Sequence, residues 1–341
     1  MKDLIILTDY KGYFGSKQKS NWYKSGMDLE KIQSLLMEKG FNSTVRCFSD
    51  IDLRNEDFND KFIIYTSSED SGYYYKDYIE DVIYALHLQG GNLIPRFEFL
   101  RANNNKVFME LLRDLLPISL IKNIQSKHFG TVEKMMEHAN FLQYPVVLKS
   151  AKGAMSTGVY LANNKTELKR FAKKISKTPN YYKKLWEYKN YIKFSGKIKL
   201  SSWFREKFII QNFISELSND WKVLVFGNKY YALNRKNRKN DFRASGSGLF
   251  DYREDTPSEL LDYAQMVYEQ FNLPHISLDI AFNRNEFYLI EFQALYFGTK
   301  TIENSPFYFV KMNNSWVIVK ETSDLETEYV QSLSQYLSKT K

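Results

Sequence analysis

The sequence predicts an α/β protein in which a small N-terminal unit precedes a larger one. Three observations support this fold class. Strand-length and helix-length apolar segments alternate over the first hundred residues, a new series of helices and strands begins after residue 103, and closely spaced strands fill much of 209–292. Alternation of strands with helices is typical of a largely parallel sheet covered by helices.

The first unit is expected to span residues 1–102. Short apolar runs predict strands at Leu4–Leu7, Val45–Phe48 and Phe62–Tyr65, and apolar residues at helical spacing predict helices at 27–39 and 77–88, each followed by glycine. Ligands of such sheets bind beyond the carboxyl ends of the strands. The loops at 10–20 and 67–72 are therefore the ligand-facing loops predicted for this unit.

The rest of the chain is expected to form a central segment, 103–200, and a C-terminal segment, 201–341. Helices are predicted at 104–115, from Val132 with Thr131 as its cap, from near Thr166, and at 257–271. Strands are predicted at 145–148, 158–161, 209–214, 222–226, 230–234, 277–282 and 287–292. The basic and aromatic stretch at 178–207 is expected to be an insertion that packs its own aromatic rings. The alternative is a surface that stacks nucleic-acid bases and holds phosphates.

Composition excludes several classes of protein. The chain is 43% hydrophobic and 26% charged, which is a globular balance, and no stretch reaches the roughly 18 apolar residues of a membrane span. The opening segment is too short and too soon charged for a secretory signal. A single cysteine, Cys47, excludes an intrachain disulfide and a multi-cysteine metal site, and four scattered histidines argue against a zinc enzyme. We expect a soluble cytoplasmic protein. Its net charge of +8 is compatible with the binding of phosphates or carboxylates, but an excess of lysines more often only keeps a protein surface solvated.

The segment from Lys149 to Gly158 joins two predicted strands through small residues. Small residues let a backbone approach polyphosphate oxygens, and lysines supply positive charge. The spacing of Gly153 and Gly158 is similar to part of a P-loop, but Val159 stands where that motif has lysine, and a strand rather than a helix follows. The segment is either another kind of phosphate loop or an ordinary hairpin connection.

A candidate metal site combines Asp279, Glu291 and Gln293. Period-2 alternation puts Glu291 and Gln293 on one face of a strand, and a turn at 283–285 brings Asp279 alongside. Such oxygen ligands suit Mg²⁺. The alternative is a pair of acids on the wet face of a hairpin, but Glu291 lies within an apolar run, where an unpaired carboxylate would be costly.

Two arginines, Arg235 and Arg243, form a third candidate site. A guanidinium beside a transferring phosphoryl group stabilises the charge that develops there. The alternative is a solvated basic loop.

Taken in order, these segments resemble the ATP-grasp superfamily, nearest to its glutathione-synthetase and RimK-like carboxylate–amine ligases, over about residues 103–301. The family's motifs are matched as follows: its first phosphate lysine by Asn105–Lys106, its second and the small-residue loop by Lys149 and Ser156, its adenine-holding strand by Gln211, Asn212, Phe213 and Ile214, its acid–x–base step by Asp220 and Lys222, its arginines by Arg235 and Arg243, and its metal ligands by Asp279, Glu291 and Gln293. Three positions depart from the family pattern: Gln293 and Ser245 stand where asparagine is usual, and Lys222 where arginine is common. The longer stem of Gln293 would shift or weaken the second metal ion.

The resemblance implies a Rossmann-like domain before a two-subdomain ATP-grasp fold that holds ATP between the subdomains. It implies an ATP-dependent ligase with two Mg²⁺ ions, for which Mn²⁺ can substitute. A carboxylate and an amine, from an amino acid, a peptide or a sugar uronate, would be joined through an acyl phosphate with release of ADP and phosphate. Arg243 would hold the acyl phosphate, the 149–158 loop would close over it, and dimers are common in the family.

The N-terminal loops are expected to select the acid or the amine, through a mixed set of charges: Lys11, Lys17, Lys19, Glu69 and Asp70. Glu69 or Asp70 is the candidate base. Two other functions stay open at this point: an ATP-grasp kinase that phosphorylates a hydroxyl, and a nucleic-acid binder that uses the 178–207 stretch. We expect neither a membrane nor a nucleic acid as partner.

Overall fold

The computed structural model describes residues 2–18, 24–153, 157–178, 180–238, 241–243, 248–283 and 286–339. The strands are β1 Lys2–Thr8, β2 Lys17–Gln18, β3 Lys24–Ser25, β4 Phe41–Cys47, β5 Phe62–Tyr65, β6 Asn92–Ile94, β7 Ser126–Phe129, β8 Val146–Ser150, β9 Val159–Ala162, β10 Phe208–Asn212, β11 Asn219–Phe226, β12 Lys229–Lys236, β13 Phe250–Asp251, β14 His275–Phe282, β15 Phe287–Gln293, β16 Tyr308–Met312 and β17 Ser315–Val319.

The α-helices of the described residues are α1 Leu29–Glu38, α2 Tyr74–Leu88, α3 Phe97–Ala102, α4 Lys106–Leu115, α5 Val132–His138, α6 Lys165–Ile175, α7 Tyr181–Lys193, α8 Ser258–Phe271, α9 Lys300–Glu303 and α10 Leu325–Lys339. Within the described ranges, none of these helices combines the length and apolarity needed to cross a membrane.

The chain folds into two units, each assembled from separated segments. The first consists of Met1–Asn103, Pro117–Ile121 and Glu216–Lys341, and the second of Asn104–Leu116 and Lys122–Ser215. The division at residues 102 and 200 that the sequence suggests stays a prediction.

The first unit contains the expected parallel sheet, in the order β4-β1-β5-β6. Successive residues of β1 point to opposite faces, so that Leu4 and Ile6 pack towards α1 and α10, while Ile5 and Leu7 pack towards α2. This alternation buries both faces of the sheet, as in other parallel sheets.

The first unit also contains an antiparallel sheet, in the order β15-β14-β11-β12-β16-β17, with β13 paired to β12. Helix α10 joins the two sheets of this unit, because its apolar residues pack in one core with β1, β11 and β12. That core fixes the C-terminal helix against the N-terminal strands.

The second unit is built on an antiparallel sheet in the order β7-β10-β8-β9. One face packs against α5 and α6 through a core that includes Leu148, Phe208 and Ile210. Thr131 caps α5 as predicted, since its side chain accepts a hydrogen bond from the Lys134 amide at 3.3 Å.

Candidate functional site

Six polar side chains lie on one face of the antiparallel sheet of the first unit. The strand register sets Asp220 opposite Arg235, Lys222 opposite Asp279, and Asp279 opposite Glu291. Directly opposed residues of neighbouring strands share a face, and residues two apart on one strand do as well. The complete set, which we call the acid–base cluster, is Asp220, Lys222, Arg235, Asp279, Glu291 and Gln293.

Arg235 holds two carboxylates of the acid–base cluster. Its Nε donates to Asp220 Oδ1 at 2.6 Å, and its Nη2 lies 2.9 Å from Asp279 Oδ2. Lys222 Nζ donates to the other oxygen of Asp279 at 3.3 Å. All of these groups are buried or nearly so, which makes the ion pairs strong and their separation costly.

The cluster separates the pKa values of its two buried aspartates. Burial by itself raises the pKa of Asp279, but the charges of Arg235 and Lys222 outweigh burial and hold it well below its ordinary value. Burial raises the pKa of Asp220, against the opposing charge of Arg235. Of the two aspartates, Asp279 is therefore the one whose ionised form the cluster favours more strongly, and an ionised carboxylate can bind a cation.

Glu291 completes the cluster from β15. Glu291 pairs with Asp279 of β14, and the register between β14 and β15 shifts directly after that pair, between Asp279 and Ile280. Its Oε1 accepts a hydrogen bond from Gln293 Nε2 at 3.1 Å, as expected for side chains two apart on one strand. The Asn283 amide donates to the Glu286 carbonyl at 3.3 Å and closes the predicted hairpin, whose tip at 284–285 lies outside the described residues.

The chemistry of this donor set fits a magnesium ion. Asp279 and Glu291 are directly opposed, an arrangement in which two like charges repel unless a cation lies between or beside them. Three acids against two bases leave the cluster with one excess negative charge. No group of three or more His, Cys, Asp or Glu close enough to hold a metal occurs in the part of the chain that the structure describes. A metal here would take two carboxylates, the Gln293 amide oxygen and oxygens from a substrate.

Arg243 is held by a different carboxylate. Its Nε donates to Asp241 Oδ1 at 2.9 Å and its Nη2 to Oδ2 at 2.7 Å, a bidentate pair that lowers the pKa of Asp241. Ser245, which the sequence matched to the same motif, lies outside the described residues.

In the second unit, Lys106 is tied to the loop between β8 and β9. Asn105 caps α4, and the first residue of that helix, Lys106, donates its backbone amide to the Ala151 carbonyl at 2.9 Å and its Nζ to the Gly153 carbonyl at 2.8 Å. Gly158 closes the loop with φ +75°, and a Cβ there would lie 2.8 Å from that of Ser150. The loop is thus built around a glycine and holds the predicted phosphate lysine, while Ser156 lies outside the described residues.

Lys149 and Gln211 lie on the face of the second unit's sheet that points away from α5 and α6. Lys149 pairs with Ile209 across β8 and β10, and Gln211 is two residues further along β10. Gln211 is buried, and its Nε2 has no hydrogen-bond partner among the described residues. A buried donor without a partner is costly unless a ligand accepts its hydrogen bond, so Gln211 fits the edge of a nucleotide base.

The remaining residues of the predicted adenine strand are placed differently from Gln211. Strand β10 ends at Asn212, so Phe213 and Ile214 lie beyond it, and the predicted strand was two residues too long. The Asn212 Oδ1 accepts a hydrogen bond from the Gln125 amide at 2.9 Å and thereby joins β10 to the residue before β7.

The N-terminal loops carry fewer available charges than the sequence suggested. Lys11 Nζ lies 2.7 Å from Asp70 Oδ1, and this hydrogen bond lowers the pKa of Asp70. Lys17 is paired at 2.8 Å with the fully buried Glu326 of α10, and so it has a structural role. Lys19 lies outside the described residues.

Sequence reasoning did not single out Tyr296, which lines a cavity of the first unit. It lies three residues after Gln293, its φ of +37° is unusual for a residue other than glycine, and burial with the nearby Glu69 raises its pKa to about 12. Tyr296 lines a cavity of about 40 Å³ together with Thr66 and His275. Its position three residues after Gln293, the last of the predicted metal ligands, was the available sequence signal.

Comparison with solved structures shows the fold. The D-cycloserine synthetase DcsG superposes with a TM-score of 0.54 at 11% identity, over 98% of this chain and 99% of that one. A Chryseobacterium gregarium RiPP-associated ATP-grasp ligase, in complex with ADP and a leader and core peptide, gives 0.52 at 10% identity over 100% and 98%. The N5-carboxyaminoimidazole synthetase of Staphylococcus aureus gives 0.52 at 9% identity over 98% and 77%.

Sequence comparison identifies the family. No curated protein is significantly similar to this chain. The family model of the RimK-like ATP-grasp domain matches residues 102–303, which is more than half of the chain and includes the acid–base cluster together with Lys106, Lys149 and Gln211. The chain therefore belongs to the RimK-like ATP-grasp family and has the fold of ATP-grasp ligases.

Proposed function

We propose that this protein is an ADP-forming carboxylate–amine ligase that makes an amide bond through an acyl phosphate. The observation that carries the proposal is the direct opposition of Asp279 and Glu291 on a sheet face that also bears Lys222 and Arg235. The two carboxylates can bind the metal ion of a metal–polyphosphate complex, and the two cationic side chains can bind its phosphate oxygens. If the cluster only stabilised the fold, two carboxylates would be enough to pair with Lys222 and Arg235, and a third would not be needed.

The second unit supplies the proposed contacts to the nucleotide. Gln211 Nε2 would donate to an acceptor on the adenine edge, which satisfies a donor that is otherwise buried without a partner. Lys149 and Lys106 would contact phosphate oxygens, and Lys106 would do so by exchanging the Gly153 carbonyl for a more strongly charged acceptor.

Asp279, Glu291 and Gln293 would hold magnesium. When bound, Mg²⁺ neutralises phosphate charge and polarises the phosphoryl group for attack. Lys222 and Arg235 are held by carboxylates in the free protein, and each keeps further donors with which to contact a phosphate. Because these partners already hold the side chains in place, little rearrangement is needed at the moment of reaction.

A substrate carboxylate would attack the γ-phosphorus and leave ADP. Arg243 would contact the resulting acyl phosphate, and its bidentate pairing with Asp241 holds the guanidinium in a defined orientation. An amine would then displace phosphate. Asp70 is a weak candidate for the base, because its pairing with Lys11 lowers its pKa, whereas Glu69 stays a candidate.

A peptide is the substrate class that we favour among the amino acids, peptides and sugar uronates. One protein of the same fold was solved with ADP and a leader and core peptide. The cavity lined by Tyr296 lies at the carboxyl ends of β1 and β5, where parallel sheets bind ligands, and it is too small for a whole peptide, so it would take one side chain or terminus.

Product analysis tests the proposal. Purified protein is incubated with ATP, magnesium and pools of peptides with and without free amines, and ADP, free phosphate and new amide mass are measured. A ligase releases ADP and phosphate in equal amounts and joins two substrates with loss of water. ADP without free phosphate, and a product heavier by one phosphoryl group, would show a kinase instead. The variant Glu291→Gln serves as the inactive control.

A further inference from the structure

Helix α7 is attached to the second unit by polar side chains. Lys184 is buried, donates to the carbonyl and hydroxyl oxygens of Ser201, and is paired with Glu187 at 3.1 Å. The Glu187 carboxylate accepts hydrogen bonds from the Ser201 hydroxyl at 2.7 Å and from its amide at 3.2 Å. A surface helix is usually attached by its apolar side chains, so this attachment leaves the rings of α7 to face solvent.

The exposed face of α7 combines aromatic rings with lysines. Its exposed rings are those of Tyr181, Tyr182, Trp186 and Tyr188, with exposures from 51% to 90%. Lys189 and Lys193 lie on the same helical face as these rings, which the exposed side chains of Leu185 and Ile192 border. This exposure contradicts the expectation that the 178–207 stretch packs its own aromatic rings, although Tyr181 does contact Trp203. A large exposed patch of this kind marks an interaction site.

Helix α6 presents exposed charges of one sign. Its exposed charged side chains are Lys165, Lys169, Arg170, Lys173 and Lys174. Residues 165, 169 and 173 are four apart, so they form a row along the helix with about 6 Å between neighbours. The one acid of the helix, Glu167, accepts hydrogen bonds from the amide and the side chain of Asn163 at 2.9 and 3.0 Å. A row of cations at this spacing is complementary to a chain of anions rather than to a single one.

The segment 201–204 packs against both helices. Lys173 Nζ of α6 lies 5.3 Å from the centre of the Phe204 ring, and Lys184 Nζ of α7 lies 5.3 Å from that of Trp203. The two helices therefore lie beside each other in the second unit. Residues 165–207 contain fourteen lysines and arginines and three acids, whereas the net charge of the whole chain is +8, so the rest of the chain is net acidic. Positive charge is thus concentrated around α6 and α7, as at a surface that binds a polyanion.

We propose that the exposed faces of α6 and α7 bind a single-stranded nucleic acid. Its phosphates would contact the lysines of α6, and its bases would stack on the rings of α7. A duplex would offer phosphates as well, but its bases are stacked on one another and cannot cover the rings. The sequence alone predicted no nucleic-acid partner, because it does not show that these rings are exposed.

Two other anionic partners fit this surface less well. Lys189 and Lys193 lie in the middle of the exposed face of α7, whereas helices that lie on a membrane keep their lysines on the polar face. An acidic peptide would pair with the lysines of α6 but has no series of flat rings to cover Tyr182 and Trp186. The surface uses none of the residues assigned to ATP or magnesium, so nucleic-acid binding would be a function in addition to the proposed ligation.

Fluorescence anisotropy on the whole protein, without ATP, tests the proposal. The probes are labelled RNA and DNA single strands of about 12 nucleotides, and the duplex of each strand with its complement. We expect at least one single strand to bind about tenfold or more tightly than its duplex. Each phosphate contacted in a single strand contributes about −0.7 to the slope of log affinity against log salt, so contacts with six basic side chains would give a slope of about −4.

A leucine variant separates base stacking from general apolar contact. Tyr182→Leu and Trp186→Leu, combined in one chain, keep apolar side chains on α7 but remove two rings, and we expect them to weaken binding of the strand by at least about tenfold. The matched control combines Tyr74→Leu and Tyr84→Leu, which remove two exposed rings from α2 of the first unit, and it should bind like the wild type.

A glutamine variant tests the row of lysines on α6. Lys169→Gln with Lys173→Gln removes two phosphate contacts and should make the salt slope shallower by about 1.4. The matched control, Lys39→Gln with Lys61→Gln, removes the same charge from exposed positions of the first unit and should leave the slope unchanged. Circular dichroism establishes that each variant is folded.

Several outcomes would overturn the proposal: no binding of either single strand by the folded wild type, binding of the duplexes that is equally tight, or a salt slope that the glutamine variant does not change. Normal binding of the strand by the leucine variant would overturn it as well. If that variant instead loses binding to vesicles of anionic phospholipid, α7 faces a membrane. Glu291→Gln keeps the two proposals apart, because it removes a proposed metal ligand and should bind the strand like the wild type.

Discussion

The substitution Glu291→Gln separates a metal ligand from a structural acid. Glu291 lies directly opposite Asp279 and accepts one hydrogen bond, from Gln293 at 3.1 Å. Glutamine has the same shape, keeps an oxygen for that bond and removes one of two opposed negative charges.

The expected effects on stability and binding have opposite signs. Removing like charges that face each other across two strands relieves roughly 0.2–1 kcal/mol of repulsion, so the ligand-free variant should be as stable as the wild type or slightly more so. Saturating Mg·ATP at about 100 times its dissociation constant should stabilise the wild type by about 2.7 kcal/mol. The variant should lose most of that gain.

Thermal unfolding with and without magnesium and ATP measures both effects on one sample. Glu286→Gln is the control, because Glu286 lies on the same hairpin, is exposed and is outside the acid–base cluster. The control should show the full ligand-induced shift.

Two results would refute this reasoning. A ligand-free variant destabilised by more than about 1 kcal/mol would make Glu291 a structural acid whose charge the fold requires. An undiminished magnesium-dependent shift would show that the metal binds elsewhere.

Four further predictions each concern the substitution of one residue. Arg235→Met leaves two buried carboxylates without their common partner, so urea denaturation should show a loss of about 3–5 kcal/mol; a loss below about 1 kcal/mol would show the network to be solvated. Burial lowers the pKa of His275 to about 3, against about 6.5 in an unfolded chain, so stability should be complete above pH 6.5 and fall by up to about 1.4 kcal/mol per unit as the pH drops below it; His275→Phe should flatten that slope, and an unchanged slope would assign it to other groups. Gln211→Leu should leave folding intact and weaken ATP binding about tenfold, the value of one buried hydrogen bond; unaltered affinity would remove Gln211 from the base site. Gly158→Ala places a Cβ at positive φ within 2.8 Å of Ser150, so it should cost at least about 1–2 kcal/mol, and a neutral effect would mean that the loop rearranges freely.

Local periodicity was enough to predict most strands and helices. Phe62–Tyr65 matches β5 at both ends, and α8 begins directly after Pro257, as expected. The three-residue β6 and the last two strands were missed, since short runs such as Asn92–Ile94 lack a period that distinguishes them from loops. Helix α10 was missed although its apolar residues have helical spacing.

The candidate site was predictable in its members but not in their pairing. Alternation placed Glu291 and Gln293 on one face, yet only the register across three strands shows that Arg235 binds both Asp220 and Asp279. The sequence suggested that Lys17 contacts substrate, whereas it pairs with Glu326, more than three hundred residues away. Helix α7 was misjudged for a related reason: composition shows amphipathicity but not which face is attached.

The central claim is that this protein binds magnesium and ATP, and that Glu291 of the first unit and Lys149 of the second are each required for that binding. Calorimetric titration of ATP, with and without magnesium, into the wild type, Glu291→Ala and Lys149→Ala tests it most directly. The account predicts magnesium-dependent binding by the wild type that each substitution weakens by at least about tenfold. Absence of ATP binding by the folded wild type, or binding that neither substitution alters, would contradict it.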